Sequence, residues 1–494
     1  MGIIQRQALI NSLISYSGLL VGFVNVLILQ PIILSPGEIG LLRIMYSSAV
    51  LIGTIFPLGL NGTIIKFFPS YRDEKHAHYG FLGKFTLLAM PGFAAMSIGI
   101  YFFRDFFIEK YSLQSPLFVS YFSFVLPMAF FIGFANLFSI YLFANYKSVF
   151  PSLVNDLFLR LFSTVLLALY YFNIINSEQF VQLFFAGYGL QFLSLLFFTR
   201  SIGSIIKQFG FFQRPPTLAD LMPMIRFSFT MSIVTIANMA LKNMDVIFMG
   251  SYLSLNEVGV YTIAVLVAGF IEIPVSALGR IADSKIARAF HEGNLDEVKK
   301  IYFDSVRILS AAGIGLFVLI CSGIQDAFSF LPSSYTNGFE VVWIAGIASL
   351  SNMVTGINSS MLFYTKYVKI GSVLLVLLVL TNIVLNILLI PALGINGAAL
   401  ALAISFVCFN LAKYLLILKL FHFNPYGSYF ISLLGIGFLT LCSGYIAAFI
   451  PNDVVRIATR FFIQVSAYSL LLYRNSHFPE VKNLLTKFTE AIRR

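Results

Sequence analysis

Apolar runs long enough to cross a bilayer as helices follow one another from residue 9 to residue 473, with little between them. A helix needs ~20 mostly apolar residues to traverse a ~30 Å hydrocarbon layer. Cutting the sequence at its polar, Pro and Gly breaks gives spans near 9–30, 39–62, 81–103, 117–142, 149–172, 179–199 and 227–250. Further spans fall near 257–279, 306–325, 339–362, 370–391, 395–418, 428–450 and 456–473. Lipid offers no partner for a free N–H or C=O, so a segment of this length survives there as a helix, bonded within itself. The expected fold class is therefore an all-α integral membrane protein with about 14 transmembrane helices. Composition removes the soluble alternative: 11% of residues are charged and 59% hydrophobic, where ordinary globular domains carry about 25% charged residues.

The first run follows a single Arg6 and has no small-residue cleavage site after it, so it reads as a retained helix rather than a signal peptide. Cys321, Cys408 and Cys442 lie in apolar runs without metal-ligand spacing and read as buried free thiols. No metal and no cofactor is expected.

Basic residues orient the spans, because Lys and Arg concentrate in cytoplasmic loops. With the N-terminus in the cytoplasm, 25 of the 32 Lys and Arg fall on that side, Lys413 among them. Arg104, Lys110, Arg456 and Arg460 fall outside, while Arg43, Arg160 and Lys242 remain within spans. Both termini are expected to be cytoplasmic, in a bacterial plasma (inner) membrane. The net charge of +11 is then a sided property that favours anionic lipids of the inner leaflet. Its scatter over short loops speaks against nucleic acid as a partner.

An internal repeat appears at an offset of about 219 residues. "SPGEIGLLRI" (35–44) echoes "SLNEVGVYTI" (254–263), and each opens a helix with a later proline, Pro57 or Pro274, the two hinge candidates. Six spans per unit is an even number, so the units are related by an axis along the membrane normal, a parallel repeat. The expected organisation is a six-helix bundle over 1–200, a linker over 201–226 and a second six-helix bundle over 227–420. Two additional helices over 427–474 and a tail over 475–494 follow.

The stretch "LKNMDVIFMGSYLSLNEVGVYTIAVLVAGFIEIPVSALGRIADSKIARAFHEGNLDEVKKIY" (241–302) resembles the multidrug/oligosaccharidyl-lipid/polysaccharide exporter superfamily, and within it the bacterial polysaccharide flippases. Asp245, Gly250, Glu257-Val258-Gly259, Tyr261, Ala264 and Pro274 carry the likeness, followed by "EGNLDEVKK" (292–300). The resemblance implies two six-helix bundles around a cavity that opens alternately to each side. It also implies a substrate, an undecaprenyl-pyrophosphate-linked oligosaccharide (O-antigen-type), and polysaccharide-assembly membrane proteins as partners. Two rivals are a cation-coupled multidrug antiporter of the same fold and a membrane-embedded glycosyltransferase or polymerase. The short outer loops weigh against the second, and no P-loop, Rossmann or zinc-type helix motif is present.

Six charges lie inside spans: Arg43, Asp156, Arg160, Lys242, Asp245 and Glu272. Each costs about 2.5–3.5 kcal/mol at a helix centre on insertion scales, so such residues face a bundle interior or a wet cavity. Asp156/Arg160 and Lys242/Asp245 are spaced to share a helical face. Either each pair neutralises itself, or these faces line a hydrated cavity; with Arg43 they are the substrate-cavity candidates. Arg43 either snorkels to head groups or offers its fork to an anionic substrate. Glu272, two residues before Pro274, either holds a coupling proton or sodium ion or pairs with a basic residue of another helix. Tyr261 either stacks on a sugar or packs in the core.

Overall fold

The computed structural model describes residues 3–73, 77–202, 218–475 and 478. Most of the linker expected over 201–226 and of the tail over 475–494 lies outside them. The described residues are almost entirely helical and contain no strand. The principal helices are α1 (Ile3–Val24), α2 (Pro36–Ile55), α3 (Phe81–Phe102), α4 (Val125–Ala144), α5 (Leu159–Tyr171), α6 (Ser177–Ile202) and α7 (Leu218–Tyr252). They continue with α8 (Leu255–Gly269), α9 (Ile273–His291), α10 (Leu295–Phe328), α11 (Gly338–Val354), α12 (Val368–Phe421), α13 (Ser428–Gly444) and α14 (Asp453–Arg474). Among the described residues 12 stretches are long and apolar enough to cross a membrane.

One of the 12, α12, has 54 residues, which at 1.5 Å per residue is on the order of 80 Å and too long for one crossing. It bends at Gly394, whose φ of 59° and ψ of −137° are open to glycine alone. The expected spans 370–391 and 395–418 are its two arms. The expected span 339–362 is the 17-residue α11 and the short helix Asn358–Phe363.

By their contacts the residues form two compact units, 1–262 and 263–494. In the first, α2 packs on α4 and α7, and α6 on α4. Its core is aromatic: Phe56, Phe68, Phe81, Phe134, Phe138 and Tyr141 are all almost fully buried. In the second, α10 packs on α11, α13 and α14, and α11 on α12. A cluster around Ile286, Tyr302, Val306, Met353 and Met361 holds α9, α10 and α11 together. Outward surfaces carry exposed Leu, Ile and Phe, as a lipid-facing wall requires.

The two echoing stretches pack on one another inside the first unit. Ser35 and Glu38 close a capping box at the start of α2, and Ser254 and Glu257 make the same exchange at the start of α8. Both boxes satisfy backbone donors that a helix start leaves open. A Cβ on Gly40 would run into the Leu255 carbonyl, and one on Gly259 into the Pro36 carbonyl. Each glycine thus admits the other helix's first turn, a reciprocal contact that small residues make in membranes. Glu38 also accepts from Tyr170 Oη at 2.9 Å and Ser177 Oγ at 2.7 Å, which ties the end of α5 and the start of α6 to the same corner.

Both hinge-candidate prolines lie at breaks. Pro57 sits in the turn between α2 and Leu60–Phe67, where Leu58 and Gly59 have φ of 49° and 75°. Pro274 opens α9 directly after the 3₁₀ turn Phe270–Glu272.

Gly259→Val should place a side chain where Pro36 stands and destabilise the protein by about 1–3 kcal/mol, read as lower thermal stability after extraction. For sidedness, cysteines replacing Ser112 and Ser333 should react with an impermeant thiol reagent applied to intact cells, and one replacing Gly293 should not. All three positions are exposed.

Candidate functional site

Arg43, Lys242, Asp245 and Tyr261 come together from α2, α7 and α8 within the first unit. Asp245 is 5% exposed and Tyr261 1%. The Tyr261 hydroxyl donates to Asp245 Oδ2 at 2.9 Å, while Oδ1 has no hydrogen-bond partner among the described residues. Arg43 is close enough to act electrostatically on Asp245, Tyr261 and Tyr188, yet makes no ion pair within 4.0 Å among the described residues. One guanidinium nitrogen reaches the Lys242 carbonyl at 3.4 Å, and Nε is buried with no hydrogen-bond partner among the described residues. The Arg43 guanidinium lies 5.9 Å from the ring centre of Tyr46, which leans on Tyr188 at 6.0 Å. Arg43 is thus half-buried against tyrosines rather than reaching out to head groups.

Lys242 and Asp245 do not neutralise each other. Three residues along a helix leave two side chains about 60° apart, and here that step runs from the packed face to the open one: Asp245 is buried beside α8, and Lys242 is exposed with no side-chain partner among the described residues. Lower on the same helix side, Tyr111 donates to the Ile247 carbonyl at 2.7 Å. Its burial, at the end of the short helix Arg104–Ser112, pushes that hydroxyl well above its usual range and keeps it a donor.

Asp156 and Arg160 also make no ion pair among the described residues. The segment Leu153–Phe158 is a π-helical turn, a form that occurs mostly as single-turn bulges inside α-helices. Asp156 accepts instead from Ser15 of α1 at 2.6 Å. Arg160 lies along Gly22 of α1, where a Cβ would sit 3.0 Å from its Cδ and 3.1 Å from Nε.

Glu272, in the second unit, occupies the 3₁₀ turn before Pro274. Its charge acts on Lys413 of α12, so the basic residue of another helix is present. Lys413, read as a cytoplasmic residue from its place near the end of an apolar run, is instead 3% exposed. Its Nζ donates to Ser359 Oγ at 2.9 Å and lies 4.2 Å from the Phe409 ring centre. One turn away, Asn410 donates to Ser351 and Asn352. The signal in the sequence was the polar pair Asn410 and Lys413 at one-turn spacing inside "FVCFNLAKYLLIL". Arg456 and Arg460, assigned to the outer side, lie near the start of α14, and both pair with Asp326 of α10. Of the cysteines, only Cys321 is buried; Cys408 and Cys442 are exposed on apolar outward faces, where lipid solvates a thiol as well as a core does. Among the described residues no cluster of His, Cys, Asp and Glu is arranged to hold a metal.

Helices of membrane-crossing length, several of them joined by charged side chains held between neighbours, define a multi-span membrane protein. The sequence profile of the family described as "Polysaccharide biosynthesis protein" matches residues 4–279, and the chain belongs to that family. Its fold is similar to a structure titled "Lipid II flippase MurJ, inward closed conformation", with a TM-score of 0.70 and 16% identity, over 96% of this chain and 99% of that one. It is also similar to an inward-facing multidrug resistance MATE family transporter of the MOP superfamily, with a TM-score of 0.62 and 13% identity, over 82% of this chain and 93% of that one. The outward-facing conformation of such a transporter gives 0.51 at 13% identity, over 84% and 94%. No curated protein matches the sequence.

Because Lys242 is exposed, Lys242→Leu should leave membrane abundance unchanged and lower surface polysaccharide, with Lys242→Arg retaining part of it. Asp245→Leu should reduce abundance, since it strands the Tyr261 hydroxyl in a buried position at about 1–3 kcal/mol. Immunoblots of membranes and polysaccharide staining of the same cells check both outcomes; a fully active Lys242→Leu removes this lysine from the site.

Proposed function

We propose that the protein is a flippase that moves an undecaprenyl-pyrophosphate-linked oligosaccharide from the cytoplasmic to the outer leaflet by alternating access, for cell-surface polysaccharide biosynthesis. The observation that carries the reading is the pair of uncompensated cations, Lys242 and Arg160, within membrane spans. Cations without acidic partners in hydrocarbon are costly, and an anionic head group passing through answers that cost. With Glu272 set against Lys413, the six intramembrane charges named above leave the first unit with three cations, Arg43, Arg160 and Lys242, against two acids, Asp156 and Asp245. Arg43 Nε and Asp245 Oδ1, each able to take one more hydrogen bond, suit the hydroxyls of a sugar beside the Tyr46–Tyr188 wall. The membership of a polysaccharide biosynthesis family and the fold shared with a lipid II flippase support the same reading.

In this reading the protein resides in a bacterial inner membrane with both termini in the cytoplasm. Anionic lipids surround its inner face, and other polysaccharide-assembly proteins receive its product. Transport is driven by H+ or Na+. Lys413 already balances Glu272, which leaves Asp245 as the carboxylate for the coupling ion.

Depletion should make the lipid-linked oligosaccharide accumulate in the cytoplasmic leaflet, measured by its protection from an impermeant glycosidase in intact cells, with resistance to toxic cations unchanged. Loss of drug resistance with normal surface polysaccharide would instead establish the cation-coupled antiporter.

A further inference from the structure

The helix α1 is held to the first unit by one narrow stripe. Along it, Asn11 donates to Ser148 at 2.7 Å, Ser15 to Asp156 at 2.6 Å and Asn25 to the Arg160 carbonyl at 2.7 Å. Thr164 donates to Asn25 Oδ1 at 2.9 Å. These residues, with Gly18 and Gly22 between them, recur every three or four positions and so form one face of a helix. The remainder of α1 is largely exposed: only 11% of its span is buried.

Arg160 is the twelfth residue of the 23-residue span Val149–Tyr171, about 16 Å from either end at 1.5 Å per residue. Its side chain lies in the slot that Gly18 and Gly22 leave open, with one terminal nitrogen 3.3 Å from the Cβ position of Gly18. Its carbonyl is used twice, by Asn25 and Thr164, while the guanidinium has no acceptor among the described residues. At this depth it is too far in for snorkelling to a resident head group. The charge is therefore answered only by an anion that itself travels to the middle of the membrane.

A groove of ≈ 320 Å³ continues the same seam toward the C-terminal ends of both helices, with Leu29, Ile32, Ile33, Thr164, Leu167 and Phe172 among its walls. Thr164 stands one turn from Arg160 and joins the polar slot to the apolar groove. A lipid whose head group sits at Arg160 and whose chain runs along this groove has its tail toward the end where α1 and α5 finish. That is the attitude of a lipid drawn in from the side where the chain begins, its tail leading and its head group following. The occupant that fits is a prenyl diphosphate: a multiply charged head for a planar five-donor fork and a long apolar chain for the groove.

Resting on the flippase reading, we propose that the Gly18–Gly22–Arg160 slot between α1 and α5 is a mid-membrane station for the diphosphate of the translocated lipid. It is separate from the Arg43–Lys242 centre, and the adjoining groove holds the prenyl chain. The test uses the full chain in vesicles with benzoylphenylalanine replacing Ile32, which is 60% exposed at the groove. Light should crosslink it to radiolabelled farnesyl diphosphate and, separately, to phosphatidylglycerol. Arg160→Gln should cut farnesyl diphosphate labelling about tenfold, equivalent to about 1.4 kcal/mol, while Arg160→Lys keeps part and phosphatidylglycerol labelling stays the same. Unchanged farnesyl diphosphate labelling in Arg160→Gln overturns the proposal. An equal fall for both lipids also overturns it, because the groove then takes any lipid and Arg160 only shapes it. Transport of a prenyl-diphosphate glycolipid by the unsubstituted protein separates the two claims. If transport occurs and Arg160→Gln labels normally, only the station falls; if none occurs, the flippase reading falls.

Discussion

A charge within hydrocarbon needs an answer, and this structure supplies a different one for each. Asp245 is answered by a tyrosine hydroxyl from the next helix, Asp156 by a serine from α1, and Glu272 by the field of a buried lysine. Asp326 is answered twice, by Arg456 and Arg460. The acids are thus engaged by neighbouring helices, and each engagement fixes which helices are neighbours. The cations of the first unit are treated otherwise. Lys242 and Arg160 are left with open donors, so the same constraint that assembles the unit also leaves it prepared to receive an anion.

The corner where α2 and α8 begin shows how a repeated sequence becomes a shared joint. Ser and Glu three residues apart cap each helix, and glycine two residues after the glutamate lets each helix start press against the other. A substitution in one copy therefore disturbs the helix of the other. Glu38 adds Tyr170 and Ser177 to that joint, so one carboxylate caps its own helix while holding two more.

Much of this was readable from residue type and spacing. Apolar length located the spans, and the Ser-x-x-Glu-x-Gly echo located both starts of the joint. The intramembrane charges were found, and Arg43, Lys242 and Asp245 do gather. Self-neutralising pairs, one of the two readings of Asp156/Arg160 and Lys242/Asp245, do not form among the described residues: Asp156 accepts from Ser15 and Asp245 from Tyr261, partners on other helices. Lys413 was missed because position near a span's end outweighed its company, Asn410, one turn before it. The tyrosine that holds Asp245 lay sixteen residues away on another helix, a distance that periodicity cannot bridge.

The bend at Gly394 reaches beyond local geometry. Residues 368–421 are the most apolar stretch of the protein, with a mean hydropathy of 2.9 in their best window, and apart from Pro391 little but this glycine interrupts them. During synthesis, the insertion machinery meets a segment that could enter as one overlong helix or fold back as two. A φ/ψ pair open to glycine alone, with Asn396 donating to Glu340 of α11 at 2.6 Å beside it, commits the segment to a reversal. Every residue translated afterwards, including α13, α14 and the arginines that clasp Asp326, inherits its side of the membrane from that choice. One dihedral angle thus acts as a parity bit for the last hundred residues.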